Sequence, residues 1–189
     1  TWLGTASNWG DADAWAKDGE NATWVEGNNA IFATANATAT LADDVTANLL
    51  TFSADATVAG PATLTVPTVS VAEDASAVIS APIASAFEKT GAGTLTLTQN
   101  RTAATTVTEG TFKMDNATVA DLTLGTYGGA PVTFDYGGQE LVRNPHDYLV
   151  TGSTVTLTNG IFSTESGADL SIRDDMSPGV LPSVLTIAK

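Results

Sequence analysis

The chain has 189 residues, seven basic and twenty-one acidic, for a formal net charge of −14, and no cysteine. That balance excludes a basic surface able to neutralise phosphates, so neither nucleic acid nor an anionic membrane surface is an expected partner. The missing thiols exclude disulfides, thiolate metal sites and cysteine nucleophiles.

Residues 1–32 hold all four tryptophans, Trp2, Trp9, Trp15 and Trp24, with Asn8 before Trp9 and Ala30-Ile31-Phe32 at the end. Large rings at one end of an elongated β-structure suit a plug over its first rung, which would otherwise expose unpaired strands. The functional alternative is an aromatic platform for sugar stacking. Asp11-x-Asp13 followed by Asp18-Gly19-Glu20 places carboxylates at close spacing. This makes calcium the best cofactor guess, although the spacing departs from the EF-hand loop. The best helical candidate is a single turn near Asp11–Ala16. The chain opens Thr1-Trp2-Leu3 without a signal peptide, as expected of a mature or trimmed N-terminus.

From about residue 37 short alternating strands recur: Ala37–Leu41, Asn48–Phe52, Ala62–Val66, Ala77–Ile79, Thr94–Thr98, Thr105–Val107, Thr111–Met114, Asp121–Leu124, Val132–Phe134, Thr154–Leu157, Asp169–Ile172 and Val184–Ile187. One face is apolar and the other mostly threonine, the period-two pattern of half-buried strands. A small-Leu-Thr-apolar motif returns around Leu64, Leu95, Leu122, Leu170 and Leu185 at irregular spacing, as expected of degenerate solenoid rungs. No run reaches the eighteen apolar residues of a membrane helix.

The stretch Phe87-Glu88-Lys89-Thr90-Gly91-Ala92-Gly93-Thr94-Leu95-Thr96-Leu97 continues through Asn100-Arg101-Thr102 to Thr105-Thr106-Val107-Thr108-Glu109-Gly110-Thr111-Phe112. A lysine leads into a Gly-x-Gly turn, and an alternating strand, an asparagine-led turn and two further strands follow. At least one of Gly91 and Gly93 is expected at positive φ. This order resembles the autotransporter-associated β-strand repeat of secreted bacterial β-solenoids. The opening tryptophan pattern is similar to the segment that often precedes such repeats. The resemblance implies an extracellular bacterial location and a passenger-type architecture; it implies no reaction.

The expected fold is therefore all-β: a single-stranded right-handed parallel β-helix (β-solenoid), with a cap at residues 1–32 and the solenoid at 33–189. A β-sandwich or jelly roll is the alternative. Asn159-Gly160, Gly128-Gly129 and Gly137-Gly138 read as hairpin turns in its favour. Residues 125–150, richer in charge and aromatics, predict a loop or interruption. The final strand, Val184-Leu185-Thr186-Ile187, is an apolar edge that could pair with its own last rung or self-associate with a neighbouring subunit.

No catalytic constellation is visible, so no enzyme is expected. His146 is the only histidine, and Ser153 and Asp147 near it lack a nucleophile elbow. The acidic pairs Asp43-Asp44, Glu73-Asp74 and Asp174-Asp175 lie at turn-like sequence, where strand neighbours point to opposite faces. The sequons at Asn21, Asn36, Asn100 and Asn116 read as turn chemistry. These features predict a secreted structural scaffold, a surface-layer or fibre subunit that self-associates through its ends. The alternative is an adhesin-type module for glycan or a host or matrix protein; a polysaccharide-active enzyme comes last.

Overall fold

The computed structural model describes residues 1–4, 7–138, 148–150, 152–160 and 183–188. These form nineteen strands and no helix. A hairpin comes first, β1 (Trp15–Lys17) and β2 (Glu20–Ala22). Two long parallel sheets then alternate along the chain. One runs through β3 (Asn29–Phe32), β6 (Leu49–Phe52), β9 (Thr68–Val71), β11 (Phe87–Thr90), β13 (Thr105–Val107), β15 (Leu122–Leu124) and β17 (Tyr148–Leu149). The other runs through β4 (Ala37–Thr40), β7 (Ala56–Ala59), β10 (Ser76–Ile79), β12 (Thr94–Leu97), β14 (Gly110–Met114), β16 (Val132–Asp135), β18 (Thr154–Thr158) and β19 (Val184–Ile187). A short third ladder pairs β5 (Val45–Thr46) with β8 (Leu64–Thr65). The chain therefore winds as a β-solenoid of about six turns, and the sandwich alternative falls away.

In-register stacking explains why alanine suffices in the core. On the second sheet the inner column reads Ala37, Ala56, Ala77, Leu95, Phe112, Phe134, Leu157 and Ile187. Small side chains sit at the level where the first sheet supplies Phe32 and Phe52, stacked at 5.0 Å. Large ones appear where it supplies Val107 and Leu124. Facing large with small residues lets side chains from the two sheets meet across the bore. The opposite phase of the same strands is outward: Thr94, Thr111, Thr133, Thr156 and Thr186 stand in one column.

Corner side chains pin each rung to the next. Asp44 Oδ1 accepts Thr63 N–H (2.8 Å), Asp55 Oδ1 accepts Ser76 N–H (2.7 Å) and Asn100 Oδ1 accepts Thr118 N–H (2.9 Å). Each satisfies a backbone donor that the ladder leaves free at the bend. Asn36 and Asn116 hold left-handed corners, with φ of 59° and 52°. Three of the four sequon asparagines thus serve turns.

Several local expectations are corrected. The hairpins at Gly128-Gly129, Gly137-Gly138 and Asn159-Gly160 do not form, because β16 pairs in parallel with β14 and β18. Gly138 N–H instead donates to Asn159 O (2.7 Å) across rungs. Among the described residues the tight hairpin turn is Asp18-Gly19, with φ of 53° and 87°, joining β1 to β2. Positive φ at both positions is the type I′ signature. The helical turn expected near Asp11–Ala16 is a single β-turn, closed by Ala14 N–H donating to Asp11 O (3.3 Å), and β1 begins at Trp15. Within 125–150, residues 125–131 form a long corner between β15 and β16, and 139–147 lie outside the described residues.

Candidate functional site

The tryptophans close the end of the bore. Trp2 continues the first sheet as a parallel bridge to Phe32 and meets Trp15 antiparallel. Trp9 N–H donates to Thr40 O (2.8 Å), extending the second sheet. Trp2, Trp9 and Trp15 are buried and Trp24 is half-buried. Trp9 lies 4.6 Å from Trp15 and 5.0 Å from Trp24, both edge to face. Such pairs add about 0.5–1.5 kcal/mol each beyond area burial. Trp15 Nε1 donates to Trp9 O (2.8 Å), while the indole N–H groups of Trp2, Trp9 and Trp24 have no hydrogen-bond partner. Edge-to-face rings offer such N–H groups a π face in place of an oxygen. Three rings are thus core, and the cap does not present them as a stacking platform. Since β3 is already a solenoid rung, the cap proper precedes Asn29.

The repeat-like stretch forms a second built feature. Register places Lys89 in an inner column, between Val69 and Val107, and it is 0 % exposed. Its ammonium donates to Gly91 O, to Gly93 O (2.7 Å) and to Glu109 O (2.8 Å). Three carbonyls that turn inward at two successive corners thus share one donor group. Burial pulls the Lys89 pKa down to about 8, opposed by the Glu109 charge. Gly91 sits at φ +76°, and a Cβ there would lie 2.3 Å from Val71 O. A Cβ at Gly93 would lie 2.0 Å from Ala72 O. Both glycines are required by close approach, and the positive φ expected of the pair falls on Gly91.

Arg101 closes the third corner of the same turn. It is 3 % exposed, donates to Ser85 O (2.6 Å), Ile83 O (3.1 Å), Ala104 O (3.2 Å) and Thr105 Oγ1 (2.6 Å), and lies 4.4 Å from the Phe87 ring centroid. Burial lowers its pKa to about 10. Sequence reasoning assigned neither cation a role. The phase of Phe87-Glu88-Lys89 carried the signal for Lys89: if Phe87 faces inward, so does Lys89.

The carboxylates proposed for calcium are not brought together. Asp11 accepts Asn8 N–H (3.0 Å) and Asn8 Nδ2 (3.3 Å), while Asp13 is an exposed left-handed bend residue and Asp18 belongs to the hairpin turn. Among the described residues no three histidine or acidic side chains converge on one point. Glu73 and Asp74 are exposed at a corner, and Asp43 beside Asp44 likewise. Ser153 is buried with its Oγ unpartnered; His146, Asp147 and Asp174-Asp175 lie outside the described residues. Strand β19 folds onto its own rung, pairing in parallel with β18 from Thr154↔Val184 to Leu157↔Ile187. Among the described residues no helix is long and apolar enough to cross a membrane. Comparison with known protein families, characterised proteins and solved structures finds no match.

Proposed function

We propose that the chain is a non-enzymatic extracellular scaffold, a structural subunit of a bacterial cell surface, that self-associates through its β19 end. One observation carries the reading. Ile187 continues the buried column Phe134–Leu157, yet it is 56 % exposed, and Val184 on the same strand is 49 % exposed. An apolar inner position left open beside an edge strand is a template for strand addition by a second copy. The opposite end is closed by the tryptophans, so ladder addition there is blocked. An end-to-end pair, isologous about β19, is the expected unit.

The test is light scattering of the purified chain with negative-stain microscopy. Twice the 19.3 kDa monomer mass is expected, and Ile187→Lys, at a position more than half exposed, should return it to the monomer with its melting temperature nearly unchanged. A monomer at high protein concentration would sink self-association. The second reading, an adhesin-type module, draws on half-buried Trp24 and the exposed Val25 beside it at the edge of the cap.

A further inference from the structure

The cap leaves one side of its aromatic cluster uncovered. Trp24 is half-buried, and Val25 beside it is 61 % exposed. With Lys17, Thr23, Asn28 and Asn29 they line a groove of about 410 Å³ between the β1–β2 hairpin and the first rung. That volume lies within the range that small ligands occupy, roughly 300–1,000 Å³.

The groove is rigid on its aromatic side. Trp24 is held 5.0 Å from Trp9 and 4.8 Å from Trp15, so little ring freedom remains to be lost on binding. On the polar side, Asn29 Oδ1 accepts Asn48 Nδ2 (2.9 Å), which fixes that amide's orientation. No acidic side chain lines the groove, although the chain carries twenty-one, and Lys17 is its one ionisable side chain among the described residues.

We propose that this groove is a binding site for an uncharged saccharide. The apolar face of a pyranose ring would rest on Trp24 and Val25, and its hydroxyls would meet the Thr23 hydroxyl, the two asparagine amides and the Lys17 ammonium. Competing ligand classes fit less well. A wholly apolar ligand would strip water from those amides without replacing its hydrogen bonds. An anion would find two cations, the Lys17 ammonium and the Thr1 amino group that already donates to Ala16 O, within the field of a protein of net charge −14. The inference does not depend on self-association, and the two can fail separately.

The test is titration of the full chain with chitohexaose, cellohexaose and maltohexaose, followed by tryptophan fluorescence and calorimetry. Saturable binding of at least one, with a shift in tryptophan emission, is expected. Asn28→Trp, which fills the groove from its rim, and Val25→Asp should each weaken that binding by at least about tenfold without lowering the melting temperature. Both variants lie at exposed positions outside the buried cluster, so folding is spared. Absence of saturable binding by all three sugars overturns the proposal, as does binding that both variants leave unchanged.

Discussion

The cap and the turn around Lys89 solve the same problem by opposite chemistry. At the end of the solenoid the exposed quantity is apolar area, and the residues before Asn29 cover it with three indoles around Phe32 and a fourth, Trp24, against Trp9 and Trp15. At the corner between β11 and β12 the exposed quantity is backbone polarity, and a single ammonium satisfies three inward carbonyls. The cap leaves three indole N–H groups without a hydrogen-bond partner, whereas the corner leaves no donor of Lys89 idle. An end can tolerate unpaired donors if it buries enough ring surface. A corner has little surface to bury and must be paired, because an unsatisfied buried polar group costs about 1–3 kcal/mol.

The sharpest way to break the corner is through its backbone. Gly91→Val with Gly93→Val drives Cβ atoms to within 2.3 Å and 2.0 Å of carbonyl oxygens of the preceding turn. The expected outcome is loss of the folded state, read as loss of cooperative melting in circular dichroism. A double variant that melts like the parent would refute the close-packed corner.

Breaking the cap should cost ring burial alone at Trp9, and at Trp15 also the bond from its Nε1 to Trp9 O. Trp9→Ala or Trp15→Ala is expected to lower stability by about 3–5 kcal/mol, as for a large core truncation. Denaturant titration checks this, and an unchanged midpoint would return the rings to the role of a surface platform. Lys89→Met keeps the apolar stem and removes the donor, leaving carbonyls that no neighbouring side chain replaces. A loss of about 3 kcal/mol is expected. A neutral effect would show that water enters the corner.

The pH dependence sharpens the contrast further. Lys89 titrates near 8 in the folded protein and near 10.5 when unfolded. Below pH 8 both states are charged, and the cost of holding the ammonium inside is fully present. Between pH 8 and 10.5 the unfolded chain binds the extra proton, so stability from this group rises with pH, by up to about 1.4 kcal/mol per unit. The stability of the parent relative to Lys89→Met should grow over that window, while Trp9→Ala keeps a constant deficit. A flat difference between parent and Lys89→Met would contradict the buried, desolvated ammonium.

Much of this architecture is legible before any folding. Alternation of apolar residues and threonine marks the strands, and Gly91, Gly93, Asn36 and Asn116 mark corners, because strand phase and positive φ are local properties. The gathering of the tryptophans in the first 24 residues marks an end. Asp11, Asp13 and Asp18 stay apart for a related reason: Asp18-Gly19 is a hairpin signal, and its flanking strands β1 and β2 are free to pair with each other. Asn159-Gly160 carries the same signal without the hairpin, because both edges of β18 are already taken by β16 and β19.

Which residues form strands, which bend and which face they share follow from local patterning along the chain. The repeat-like motif pointed to parallel stacking, but only the folded rungs fix the register, and so which side chains meet. Ala77 follows Ala56 and Ala37, Lys89 falls between Val69 and Val107, and Ile187 follows Leu157 into an open bore. The physical reason is range. Dihedral preference and alternation act over a few residues, whereas rung register is a sum of weak contacts between residues about twenty apart. That sum exists only once neighbouring turns are in place.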